Sequence, residues 1–104
     1  MSTSFDYIQY IESRLPQNYY IRSKKMFGEY MVFIDEKPAL LVCDNTVYVK
    51  QIDALSELLN QAEKGFPYQG AKEHYILDID DMKLVSDVIE ALLPHLKVRV
   101  KKSK

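Results

Sequence analysis

The side chains best able to do chemistry in this chain are few and scattered. Histidine occurs only at His74 and His95, and cysteine only at Cys43. No HxH, HxxxH or Cys-His spacing is present, so the N/S ligand set that zinc needs has no sequence pattern. A lone cysteine closes no internal disulfide. Within Ala39-Leu40-Leu41-Val42-Cys43 it reads as a small buried hydrophobe, because a reactive thiolate needs a nearby base or a helix N-terminus. Asp78, Asp80 and Asp81 form an acidic cluster. It lacks the glycine and terminal glutamate of a calcium loop, and capping of the following helix accounts for at least one carboxylate. Gly28, Gly65 and Gly70 are isolated at turns, so no phosphate-cradling loop is legible. Ser13, Ser23, Ser56 and Ser86 carry no local nucleophile pattern. The expectation is a chain with no metal, no cofactor and no catalytic activity.

Aromatic and basic residues offer a different chemistry. The chain has eight tyrosines, with Arg22, Lys24, Lys25 and Lys72 interspersed among them. Such a surface can stack bases and hold phosphates. The same tyrosines serve equally as strand residues with one buried face and one wet hydroxyl, and the second reading is preferred. Phosphate contacts supply most nonspecific affinity for nucleic acid, and a net charge of −1 offers no excess for that purpose. From Lys97 to Lys104 the chain holds five basic residues and no acidic one. Val98 and Val100 alternate there with Lys97, Arg99 and Lys101, as in a charge-protected edge strand. A solvated terminus is the preferred reading. Direct nucleic-acid binding, if present, rests on Arg22, Lys24, Lys97, Arg99, Lys101, Lys102 and Lys104, and is expected to be weak.

Hydrophobic periodicity defines the elements that must position these groups. Phe5, Ile8, Ile11 and Leu15 predict a first helix, with Thr3 or Ser4 as N-cap and Pro16 as its stop. Four strands follow at Tyr20–Phe27, Tyr30–Ile34, Ala39–Cys43 and Thr46–Lys50, separated by short turn clusters. Turns this short join antiparallel neighbours, which gives a meander. Ile52, Leu55, Leu58, Leu59 and Ala62 predict a second helix from Ile52 to about Lys64, with Gly65 just past its end. His74–Ile79 reads as a further strand. Met82, Val85, Val88, Ile89, Leu92, Leu93 and Leu96 predict the last helix, capped by Asp80 or Asp81 and ended near Pro94. The order α-β-β-β-β-α-β-α predicts an α+β fold in two layers, with helices packed on one face of a mostly antiparallel sheet.

The length of 104 residues fits one domain, read as residues 1–96 followed by a basic tail at 97–104. The start of the chain shows no signal peptide and the longest apolar runs are too short to span a membrane. Together with the lone cysteine this points to the cytoplasm.

Lys24-Lys25-Met26-Phe27-Gly28-Glu29-Tyr30-Met31-Val32-Phe33 resembles the K-M-F-G-x-Y stretch that opens the TfoX (Sxy) N-terminal domain family. Ala39 to Lys50, with Asp44-Asn45-Thr46-Val47-Tyr48-Val49-Lys50, is similar to that family's hairpin. Phe66-Pro67-Tyr68-Gln69-Gly70-Ala71-Lys72 with Tyr75 resembles its third block. The likeness runs from about Phe5 to Leu96. It implies a bacterial two-layer α/β domain with an antiparallel sheet, of the kind found in regulators of natural competence. Those regulators act positively on transcription in concert with a cyclic-AMP receptor protein. They carry a second, C-terminal domain, and this chain resembles the first domain standing alone. No catalytic residues are carried over. Met26, Phe27 and Gly28 read as a folding element, with Gly28 permitting a bend and Met26 and Phe27 facing opposite ways.

Three functions are therefore expected in descending order. The first is a protein-interaction domain in regulation, with a protein partner drawn from the transcription machinery. The second is nucleic-acid binding through the basic strand and tail. The third is small-ligand binding at a polar aromatic site formed by Lys25, Tyr68, Lys72 and Tyr75, able to hold an anion or a partner's acidic segment. A homodimer through a strand edge or helix face is open on general grounds.

Overall fold

A computed structural model describes residues 3–26 and 29–97. Helix α1 spans Phe5–Arg14. Ser4 is its N-cap, its hydroxyl accepting from the Tyr7 amide at 3.1 Å. Ile8 and Ile11 are buried and Phe5 is exposed, so the apolar stripe is one residue shorter than its spacing predicts. Thr3, the other candidate cap, is instead buried against a hairpin: its hydroxyl accepts from the Asn45 amide at 3.1 Å and donates to Glu29 at 3.0 Å.

The meander follows as β1 (Ile21–Met26), β2 (Glu29–Ile34), β3 (Lys37–Cys43) and β4 (Thr46–Val49). Asp35-Glu36 and Asp44-Asn45, all with φ between 52° and 65°, join β2 to β3 and β3 to β4. Consecutive left-handed residues make the turn whose twist matches the flanking strands, and Asp and Asn tolerate it best after glycine. A bulge at Val32/Phe33 absorbs Pro38, which has no amide to donate to the ladder.

The predicted second helix is corrected. Asp53–Leu55 is a single 3₁₀ turn, followed by further turns. Bonds from Leu55 to Ile52, Ser56 to Asp53 and Ala62 to Leu59 are of the i→i−3 kind, and the Ser56 hydroxyl turns back onto the Asp53 carbonyl. Leu55 and Leu59 do reach the core, and the apolar spacing is met with one α-type bond, from the Leu59 amide to the Leu55 carbonyl at 2.9 Å, among 3₁₀-type turns. The reason lies downstream. Lys64–Gly65 forms a short strand, β5, and the Glu63 carbonyl accepts from the Ile76 amide at 2.8 Å, which commits the chain to extended geometry where a helix would have ended. Gly65 is thus a strand residue opposite His74, not a helix terminator. A Cβ there would lie 3.3 Å from Ile76 Cδ1 and 3.4 Å from the Tyr48 ring, so a larger residue would need those side chains to shift by a few tenths of an ångström.

Strand β6 is His74–Ile76, shorter than predicted. Helix α2 spans Met82–Leu92, with the Asp81 carboxylate accepting from the Leu84 amide at 3.1 Å, and Pro94 converts its end into a 3₁₀ turn. The sheet has six strands in the order β1-β2-β3-β4-β6-β5, every neighbour antiparallel. One core holds the molecule together. Ile8, Ile11, Val85, Val88, Ile89 and Leu92 from the helices pack on Val32, Leu40, Val42, Val47 and Val49 from one sheet face. The α+β architecture with helices on one face is as the sequence predicts. No helix among the described residues is long and apolar enough to cross a membrane.

Candidate functional site

Strands alternate their side chains, so the residues between the core positions define the second face of the sheet. Pairing puts Lys24, Met31, Leu41, Tyr48 and Ile76 in one row across five strands. The neighbouring core row is Lys25, Tyr30, Val42 and Val47. Both helices bury their apolar stripes in the core, so the first row is left to the loop between β5 and β6 and to solvent. Within that loop Phe66 and Tyr68 are 61% and 60% exposed.

A groove runs along this second face in two connected parts. One part, about 590 Å³, is almost entirely apolar and is walled by Met26, Met31, Leu41, Cys43 and Tyr68, with Glu29 at its edge. The other, about 260 Å³, shares Met31, Leu41 and Tyr68, adds Tyr48, Lys50, Lys72 and His74, and runs against the Pro38–Leu40 stretch of β3, where the Leu40 side chain itself is buried in the core. The polar groups at the two ends differ in freedom. Glu29 is committed, its carboxylate accepting from the Thr3 hydroxyl and the Asp44 amide, each at 3.0 Å. His74 is oriented: its Nδ1 lies 2.8 Å from the Lys72 carbonyl, and its ring meets Tyr48 edge-on at 6.4 Å. Because a carbonyl only accepts, Nδ1 carries the proton in that bond and Nε2 is left for another partner.

Cys43 is 2% exposed yet lies outside the core cluster, on the groove side. Burial, aided by the Glu29 and Asp44 carboxylates, pushes its thiol up to about 11. A thiol in that state is protonated near neutrality and is a poor nucleophile. The Tyr48 hydroxyl is also raised, first by burial. The Asp78–Asp81 cluster is consumed by structure. Asp78 accepts from the Asp80 amide, Asp80 accepts from the Tyr10 hydroxyl and lies 3.9 Å from Arg14, and Asp81 caps α2.

Of the four residues proposed to converge, Tyr68 and Lys72 share the groove. Lys25 does not join them, because its register partner Tyr30 faces the helices. Tyr75 does not either: it is 7% exposed within the core, with the Lys64 ammonium 5.9 Å from its ring centre. Met26 lines the apolar part, while Phe27 and Gly28 lie outside the described residues. Of the basic set, Arg22 is engaged, 2.8 Å from Glu36 and 4.5 Å over the Phe33 ring. Lys24 is on the groove face at the sheet edge. Lys97 is exposed, and Arg99, Lys101, Lys102 and Lys104 lie outside the described residues, as does most of the predicted tail. Tyr48, Lys50 and His74 were not expected at the site. Period-two counting from Val47 would have paired Tyr48 with Lys50, but only the β4–β6 register brings His74 to them.

These features define a class: an α+β domain whose antiparallel sheet is covered by helices on one side and carries an aromatic and basic groove on the other. No family model matches the chain, and no solved structure matches it. The chain is similar to the "uncharacterized 12.7 kDa protein in trpE 5′ region" of Spirochaeta aurantia, with 32% identity over 109 aligned positions that cover 100% of this chain and 95% of that protein. It belongs to the same family as that spirochaete protein.

Proposed function

We propose that this chain is a non-catalytic regulatory domain that receives a protein partner on the uncovered face of its sheet. The observation that carries the reading is the half-buried row Met31–Leu41–Tyr48 with the exposed Tyr68 beside it: apolar and aromatic side chains on the sheet face opposite the core and its helices. Contiguous apolar surface of this kind is what interaction sites present. The sheet edges are less suitable. The outermost strand β5 has two residues, and β1 presents Arg22, Lys24 and Lys25, which oppose strand-to-strand pairing. A non-catalytic role agrees with the inert thiol and with an acidic cluster spent on capping. The likeness to the TfoX N-terminal domain supports a place in bacterial transcription control, with the partner in the cytoplasmic transcription machinery.

The test is affinity capture from bacterial cytosol, with and without nuclease, using the wild-type chain beside Met31→Gln and Leu41→Thr. These two substitutions make the row polar while suiting a strand. The reading expects a protein that survives nuclease and is lost with both variants. Retention by both variants would defeat it. Recovery only while nucleic acid is intact would put nucleic acid in the partner's place.

A further inference from the structure

The groove is apolar at one end and lysine-lined at the other, and the one acidic residue among its described lining, Glu29, sits at the apolar end. Lys50, Lys72 and His74 line the smaller part, and no acidic residue lines that part among the described residues. The ion pairs among the described residues are Arg14–Asp80, Arg22–Glu36 and Lys83–Asp87, and none includes Lys50 or Lys72. The nearest carboxylate in sequence, Glu73, shares an adjoining hollow with Lys50, Lys72 and His74, but it accepts from Gln51 at 3.2 Å and makes no ion pair with either lysine among the described residues. At the apolar end Glu29 is held by Thr3 and Asp44. The chain as a whole carries a net charge of −1, so this positive end is a local arrangement and not overall basicity.

We infer that the partner segment seated here is acidic as well as apolar. One or two large apolar side chains rest over Met31 and Leu41, and Asp or Glu carboxylates further along the same segment face Lys50 and Lys72. The inference rests on the interaction reading above and adds the chemistry of the partner. The two parts of the groove share Met31, Leu41 and Tyr68, so a short extended peptide at roughly 3.3 Å per residue reaches both. Charge complementarity of this kind selects partners and register more than it adds affinity. A free small molecule is disfavoured by the shape. Lys50, Tyr68 and Lys72 at the groove's rim are exposed, and small-ligand sites bury most of what they bind. Single-stranded nucleic acid has aromatic faces available in Tyr48 and Tyr68, but Arg22, the strongest phosphate fork on this face, is already paired with Glu36.

The experiment is selection of a displayed random peptide library on the full chain, on Met31→Gln/Leu41→Thr and on the charge-reversed Lys50→Glu/Lys72→Glu. Lys50 and Lys72 are exposed, so their reversal leaves the core untouched. The wild type should enrich peptides with an apolar pair beside Asp or Glu. Lys50→Glu/Lys72→Glu should bind a selected peptide about tenfold more weakly, as expected for two surface charge contacts turned repulsive. Its own selection should shift to Lys and Arg. No enrichment, a motif without acidic residues, or unchanged affinity in Lys50→Glu/Lys72→Glu overturns the inference. So does tighter binding of oligothymidylate that depends on the same two lysines. If the library yields the acidic motif while cytosol yields no partner, the regulatory role fails and the groove's chemistry stands.

Discussion

Leu40 and Leu41 are adjacent leucines on β3 with opposite fates, and replacing each by alanine tests the face assignment on which the groove depends. Leu40 is 0% exposed and packs in the core between sheet and helices. Leu41 is half-buried and forms the groove floor opposite Met31. Truncating Leu40 removes buried methyls and leaves a cavity under both helices, for a loss of about 3 kcal/mol. Truncating Leu41 removes area that is only partly hidden and leaves no closed cavity, for a loss of about 1 kcal/mol. In a domain of this size the melting temperature should fall by roughly 12–24 °C for Leu40→Ala and roughly 4–8 °C for Leu41→Ala. Urea unfolding with unchanged m-values is the assay, because it separates stability from changes in compactness. Binding should show the reverse order: Leu41→Ala loses the partner and Leu40→Ala, while folded, keeps it. Equal losses, or a larger loss at Leu41, would refute the register. A one-residue slip exchanges the two faces, and every groove residue would then be misassigned.

Further expectations concern single groups. At pH 8 an ordinary thiol is about one quarter ionised, but one at about 11 is only about 0.1% ionised. Its greater basicity returns about tenfold in nucleophilicity, so native Cys43 should alkylate about 20-fold more slowly than the unfolded chain before any shielding, with a rate still climbing at pH 10. Because its folded pKa is raised, the native state holds a proton that the unfolded state has lost between about 8.5 and 11; stability should fall with rising pH across that window, and Cys43→Ala should flatten the fall in pH-dependent denaturation. Asp81→Ala should cost about 1 kcal/mol in urea unfolding by removing the cap on Leu84, with Asp81→Ser restoring most of it. Asn45→Ala should cost about 1–2 kcal/mol, since it strains a residue at φ 56° and removes the acceptor for the Ser4 amide at 3.2 Å. Asn45→Gly, which keeps the turn and loses only that bond, should cost less; a larger loss for glycine would show that the turn conformation is not what matters there.

Both long helices, their caps and the four-stranded meander were legible from the chain because their signals are local. Ile8 and Ile11, or Val85, Val88, Ile89 and Leu92, need only a 3.6-residue period to share a face, and Asp44-Asn45 needs only its own backbone preference to reverse the chain. Local signals failed at residues 52–65. There the apolar spacing of a helix is satisfied by a 3₁₀ turn, because β5 must reach β6. They failed again at the site. Lys24 and Lys25 look alike in sequence, as do Tyr68 and Tyr75, yet one of each pair lies on the groove side and the other on the helix side. Composition and periodicity by themselves determined an α+β domain with a meander. Cross-strand register alone decided which side chains meet, because alternation makes facing a property of pairing between distant segments, and no residue carries that information in itself.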